Sequence, residues 1–348
     1  MPSPRPPLAR LATIVALALV AARVVGAQEA YVPLAPQTLP LPGSESENLL
    51  RLRQLLGLES SEGYLLRSVG TRIAGDTSAQ GRVRLFAPEV FVGRNGGHAW
   101  GFNDGPLRAG RGANILASAG LAVERGRWTL VLVPQFVFEE NLAFQTIPWP
   151  QSNPPSRNVW ANPFYPLPTS LDYPQRFGDA PRSDVRVQGR LAVMLHDAVR
   201  VGVGTENRWW GPGARNALLL SANAPGFAQA FVESPSPIRT RVGAFEYTLV
   251  LGRLQESEYF DFDEDNDARS LSAAALTWRP GSGEQPWPTI GFSRAVMARR
   301  APGLSTLFDF ARSVGRPFTR TADSLKHRDQ ITSVFARWLF PAQGAEAY

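Results

Sequence analysis

From residue 81 onward, apolar and polar residues alternate with a period of two over segments of about ten residues, separated by turn-rich stretches. In 184–195 one parity reads Val185, Val187, Gly189, Leu191, Val193 and Leu195; the other reads Asp184, Arg186, Gln188, Arg190, Ala192 and Met194. Neighbouring side chains of a strand point to opposite faces, so one face is apolar and the other polar. The pattern predicts strands over 82–92, 113–123, 128–139, 184–195, 199–205, 214–221, 241–254, 269–279, 289–298 and 330–340. Strands of about nine to eleven residues fit a tilted membrane crossing. Short turns, His196-Asp197 and Glu124-Arg125-Gly126-Arg127, join hairpins, whereas 93–112, 145–182 and 260–267 are long loops. Short turns at one rim and long loops at the other predict an all-β, antiparallel transmembrane barrel of the outer-membrane type. A soluble β-sandwich or propeller has the same period.

The N-terminus departs from this pattern. Arg5 and Arg10 precede a short apolar run over 11–22, and Val25-Gly26-Ala27 supplies small residues for cleavage. This predicts a Sec-type signal peptide, residues 1–27, cleaved after Ala27. Residues 28–80 follow as a proline-rich segment with a short helical element on the periplasmic side. Ser44 and Glu47 form a capping box before Leu49, Leu50, Leu52, Leu55 and Leu56, and a second helical piece is expected over 61–67. Residues 81–348 form the barrel. No apolar run of about eighteen residues remains after the signal, so any membrane crossing must be made by strands.

The formal charge is +6, and loss of Arg5, Arg10 and Arg23 with the signal lowers it to +3. This balance predicts no nucleic-acid partner, which would need basic clusters on one face. Lys326 is the only lysine. Arginine suits carboxylate and phosphate, as in acidic sugars or lipopolysaccharide, but a GC-rich genome produces the same bias and accounts for most of these arginines. Outer-membrane lipids, including lipopolysaccharide, are expected partners. There is no cysteine, which excludes disulfides, thiolate metal sites and cysteine nucleophiles.

Most catalytic chemistry finds no motif. His98, His196 and His327 lack metal-ligand spacing. Ser118 and Ser221 lie in no G-x-S-x-G elbow. Glu139 and Glu140 are adjacent on a strand and point apart. The glycines of 93–97 lead into no helix, which argues against a phosphate loop. The acidic run Asp261 to Asp267 reads either as a solvated loop or as oxygen ligands for calcium. No cofactor, no resident metal and no enzymatic activity are expected; an outer-membrane lipid esterase is the catalytic alternative.

The richest segment is GVGTENRWWGPGARNALLLSANAPG, residues 202–226. Aromatic faces pack on pyranose rings, and amides and guanidiniums bond hydroxyls and carboxylates. Trp209 and Trp210 beside Arg208 suit sugar; they equally suit a structural corner or a membrane-interface anchor. Asn207 to Gly213 and Leu219 to Ala224, supported by Leu171 to Asp179, resemble the signature runs of the Wzi-like capsule assembly family of outer-membrane proteins. The resemblance implies a barrel larger than the ten strands counted here, hence a chain lacking its closing strands, although Tyr348 also suits a genuine barrel terminus. It implies capsular or extracellular polysaccharide as ligand, held by a lectin. The expected binding residues are Asn207, Arg208, Trp209, Trp210, Arg215 and Asn223, with Asp172, Arg176 and Asp179. A porin-like or transport channel is the alternative, and single-channel conductance separates the two.

Overall fold

The computed structural model describes residues 42–59, 64–69, 82–144, 178, 180–255, 268–281, 288–298, 303 and 328–348. The signal-peptide residues, the acidic run 261–267, and Asp172, Arg176 and Asp179 lie outside these. Among the described residues the fold is antiparallel β with one α-helix, α1 (Glu45–Leu55), and no helix is long and apolar enough to cross a membrane. The strands are β1 (Leu66–Ser68), β2 (Arg82–Asn95), β3 (Gly112–Arg125), β4 (Trp128–Glu139), β5 (Arg182–His196), β6 (Val199–Gly204) and β7 (Arg208–Trp210). They continue with β8 (Ala228–Glu233), β9 (Ile238–Thr240), β10 (Gly243–Gln255), β11 (Ala268–Pro280), β12 (Thr289–Ala298), β13 (Arg328–Phe340) and β14 (Ala345–Ala347).

One sheet runs in the order β14-β13-β12-β11-β10-β8-β6-β5-β4-β3-β2, with β9 beside β10. β1 and β7 form a separate two-stranded ribbon. The large sheet is open among the described residues, since β2 pairs only with β3. It is nevertheless curled. From β13 to β2 there are nine inter-strand steps, roughly 43 Å if flat at about 4.8 Å each. Helix α1, roughly 16 Å long at 1.5 Å per residue, reaches both ends. Its Gln54 accepts from Arg337 of β13, while Leu49 and Leu50 share a cavity wall with Val90 and Phe91 of β2.

The alternation read from the sequence sets the two faces. In β4, Val131, Val133, Gln135, Val137 and Glu139 are buried, while Leu130, Leu132, Pro134, Phe136 and Phe138 are partly exposed. Pro134 cannot donate to a ladder, and the β3–β4 pairing lapses opposite it, between Ser118↔Gln135 and Leu121↔Leu132. On the inner face, Ala192, Gly202, Phe231, Val250, Ala273 and Ala295 lie in one register row across six strands, and all but the glycine bring side chains to it. Those five side chains form a core cluster with Trp210, Leu271 and Ala275. Small side chains in that row leave room for the indole that packs on it.

Three expectations change. The apolar run 214–221 is not a strand. Leu219 and Leu220 instead pack against the inner core, and a single bond, Trp210 N–H to the Leu220 carbonyl (3.2 Å), ties the run to β7. The strand beside β6 is the unforeseen β8, whose AQAFVE carries one large aliphatic side chain and no strong β signal at its start. Residues 64–67, expected to be helical, instead lead into the extended β1.

Helix α1 forms where its cap predicts. Ser44 Oγ accepts the Glu47 N–H (3.3 Å), and the Glu47 carboxylate accepts the Gly43 N–H (2.8 Å). Its packing is inverted, however. Glu47, Arg51 and Gln54, at helical spacing, are buried, whereas Leu49, Leu52 and Leu56 are exposed. The helix meets polar groups, so its polar stripe is the one that docks.

Candidate functional site

The chain leaves the wall at the end of β6, folds inward over residues 205–227, and rejoins it at β8, directly beside β6. The two legs of this insertion pass so closely that a Cβ on Gly226 would lie 2.0 Å from the Thr205 carbonyl. At its centre, β7 pairs antiparallel with β1: Leu66↔Trp210, Arg67↔Trp209, Ser68↔Arg208. Trp209 is 0 % exposed and Trp210 2 %. Neither indole N–H has a hydrogen-bond partner, and neither ring has a face open to a ligand.

Arg208 is equally enclosed. Its guanidinium donates to Gln229 Oε1 (2.5 Å), Glu206 Oε1 (2.9 Å), Thr248 Oγ1 (3.2 Å) and Glu233 Oε2 (3.3 Å). Arg190 donates to Ser68 Oγ (3.1 Å) and to Glu233 Oε1, and stands 3.6 Å from Glu206. Arg200 lies 3.6 Å from Glu233. Three guanidiniums thus share two carboxylates in the interior. Beneath them the Phe231 ring receives Arg190 at 4.4 Å and Arg208 at 4.7 Å from its centroid. The ring lies over Gly202, where a Cβ would come within 2.5 Å of both Phe231 Cζ and the Leu191 carbonyl.

A second set of arginines holds the Gly-Pro-Gly corner. Arg67 donates to the carbonyls of Gly211 (2.9 Å) and Gly213 (3.0 Å), pairs with Glu47 (3.0 Å), and lies against Tyr64 and Trp209. Arg51 donates to the Pro212 carbonyl (2.7 Å) and pairs with Glu346. Arg337 donates to Glu346 (2.8 Å) and Gln54 (2.7 Å) and stacks on Tyr64 (4.2 Å). The corner's three consecutive carbonyls therefore bind α1 and the segment ending in β1 to the insertion.

Beside this assembly lies a cavity of about 870 Å³. Asn103, Asp104, Gln135, Gln188 and Asn207 contribute polar groups to its lining, with Phe91 and Phe102 as aromatics. Gln188 donates to Gln135 Oε1 (3.3 Å) and accepts the Asn207 N–H (3.2 Å). Asn207 donates to the Ala224 carbonyl (3.1 Å). The loop carrying Asn103 and Asp104 is fastened to the insertion through Gly105 N–H to the Ala222 carbonyl (2.7 Å). Burial pushes the Asp104 carboxyl above its ordinary value, although it accepts the Phe102 N–H (2.7 Å).

Of the residues expected to bind, Asn207 lines the cavity, and Arg208, Trp209 and Trp210 form the buried assembly. Arg215 and Asn223 are exposed and meet at one residue: Asn103 donates its side chain to the Arg215 carbonyl (2.6 Å) and its N–H to Asn223 Oδ1 (2.9 Å). Gln135, Gln188, Asn103 and Asp104 were not among those expected. The signal for the two glutamines was present, as a polar side chain at an inward parity of a strand.

The family model for the capsule assembly protein Wzi matches residues 162–341. The chain belongs to this family. The match spans the RWWGPG corner and every strand from β5 to β13. No curated protein and no solved structure matches the chain. Wzi family members are outer-membrane proteins of capsule assembly, which suits a curled antiparallel sheet with an apolar outer face. Among the described residues, no group of three His, Asp or Glu side chains is placed to hold a metal ion.

Proposed function

We propose that this chain holds capsular or extracellular polysaccharide at the outer-membrane surface as a non-catalytic lectin. In this reading the glycan occupies the cavity lined by Asn103, Asp104, Gln135, Gln188 and Asn207, and the RWW ribbon is the support behind it. The observation that carries the reading is the cavity itself. Amides, two carboxylates and Arg53 line it beside two phenylalanines, and a volume of about 870 Å³ accommodates a short run of sugar units. Carbohydrate demands this mixture, since its hydroxyls need donors and acceptors and its ring faces need apolar contact. The closed surroundings of Trp209 and Trp210 favour a supporting role for them. Arg215 and Asn223 serve through Asn103, at the edge of the cavity. Export through a signal peptide cleaved after Ala27, and contact of the outer face with lipid and lipopolysaccharide, belong to the same proposal.

The test is calorimetric titration of the detergent-purified protein with surface polysaccharide from the producing cell. Gln135→Leu removes a polar contact at similar volume and should weaken binding roughly fivefold to tenfold, as loss of one hydrogen bond of about 1–1.5 kcal/mol requires. Unaltered affinity in that variant would place the glycan elsewhere.

A further inference from the structure

Three tryptophans among the described residues are strongly exposed: Trp100, Trp128 and Trp338. Trp128 and Trp338 share the outer parity of their strands and stand at the rim of short turns, where an interface belt belongs. Trp100 stands at the opposite rim, in the loop between β2 and β3, and is 68 % exposed. That loop is held on the inner side of the wall. Asn95 lies six residues beyond Glu89 with no break in register, so it shares the face that lines the cavity. Its amide donates to the carbonyls of Trp100 (2.7 Å), Ala109 (2.7 Å) and Gly110 (3.3 Å), stitching both legs of the loop to that face. The Trp100 N–H donates to the Ala109 carbonyl (3.0 Å), so the backbone beneath the ring is tied at both its donor and its acceptor. Two residues on, Phe102 lines the cavity and is itself 42 % exposed. Its N–H is held by Asp104 (2.7 Å). Two steps of chain keep the Cα atoms of Trp100 and Phe102 within about 7.6 Å of each other.

We propose that Trp100 is a second sugar-stacking platform, outside the cavity and continuous with it through Phe102, that carries units of the polysaccharide beyond those the cavity holds. This rests on the polysaccharide reading above. The cavity takes a short run of sugar units, and a longer chain must leave it past the loop that forms part of its lining. An exposed indole offers such a chain a flat apolar face for the ring of a pyranose, while hydroxyls at the ring's edge stay in water. With its backbone fixed and only two side-chain torsions to order, the ring gives that contact at little entropic cost. The buried Trp209 and Trp210 cannot do this, so the stacking role read into the RWW run falls to a tryptophan on another loop.

The experiment titrates the full chain in detergent with size-fractionated fragments of the producing cell's surface polysaccharide. Short fragments fit within the cavity, and long ones outreach it. The parent should bind long fragments more tightly than short ones. Trp100→Ala should weaken the long fragments about threefold to tenfold, the worth of one stacked ring, and leave the short ones unchanged. Trp100→Phe keeps a stacking face and should recover most of the loss. Phe102→Ala, in the cavity wall, should weaken both lengths. Substitutions at so exposed a position as Trp100 leave the fold in place. Equal loss for both lengths in Trp100→Ala, or loss for neither, overturns the platform and leaves the polysaccharide reading standing. In vesicles of brominated phospholipid, the emission that Trp100→Phe removes should be unquenched; quenching would seat the ring in the bilayer and also overturn the platform. Absence of binding by every fragment to the parent overturns the polysaccharide reading together with it.

Discussion

Glu233→Gln isolates the interior charge network with a minimal change of shape. Glu233 accepts from Arg190 and Arg208 and lies 3.6 Å from Arg200, so one carboxylate serves three guanidiniums. Glutamine preserves the volume and one acceptor oxygen but leaves three positive charges facing Glu206 alone. At 4 Å and an effective dielectric near 20, one such attraction is worth about 4 kcal/mol before desolvation is subtracted. Removing one partner of a buried pair costs about 3–5 kcal/mol in comparable cases, because the remaining charges stay buried. Against a total stability of roughly 5–15 kcal/mol, the loss is a large fraction. The assay is urea unfolding of the protein reconstituted in lipid vesicles, followed by tryptophan fluorescence, since Trp209 and Trp210 pass from a dry interior to water. The midpoint should fall with an unchanged slope. Adding Arg200→Gln restores the charge balance and should recover about 0.5–3 kcal/mol, the range of coupling between neighbours. A single variant within about 0.5 kcal/mol of the parent, the range of ordinary surface changes, would refute the reasoning.

Other outcomes follow from the same packing. Trp210→Ala removes a side chain 2 % exposed from the inner core and should cost about 3–5 kcal/mol, with polysaccharide retention falling only in proportion to the assembled protein in the membrane. Gly202→Ala forces a methyl within 2.5 Å of the Leu191 carbonyl and the Phe231 ring, and should destabilise by about 1–3 kcal/mol or more in the same urea assay. Asp104→Asn should raise stability at pH 7. The Asp104 carboxyl is held above its ordinary 3.8 by burial, so the stability it contributes is complete below that value and is lost as pH rises through its folded value. Urea midpoints of parent and variant should therefore converge in acid, and a gap that persists there would contradict the assignment.

Much of the fold was legible because a half-buried strand states its period twice. In 128–139 the period, with the preceding Gly126-Arg127 turn, matches the span of β4. Residues 214–221 misled because ARNALLLS is apolar enough for a strand, yet packs Leu219 and Leu220 against the inner core without a ladder and leaves Leu218 exposed. β8 was hidden by the weak strand propensity of Ala228, Gln229 and Ala230, whose alanines lie on the exposed face. The RWW run stood out in the sequence, but sequence alone does not say whether an Arg-Trp-Trp cluster faces a ligand or a core. That depended on Glu233 and Thr248 converging from separate strands on Arg208 and its near neighbour Glu206. The cavity residues come from α1 and its cap, β2, β3, β4, β5, the 102–107 loop and the 205–227 insertion, and their proximity is a product of the curl.

The most direct test of the cavity as the polysaccharide site is to fill it. Ser118 sits on the inner face of β3, opposite Glu89 and Gln135, and lines the cavity. Ser118→Trp places a large ring in that space without touching the Arg208 network or the Gly-Pro-Gly corner. Cells depending on this variant should carry normal amounts of the protein in their outer membrane and shed polysaccharide into the medium. Polysaccharide retained at the parental level, with the blocked protein assembled, would contradict the account.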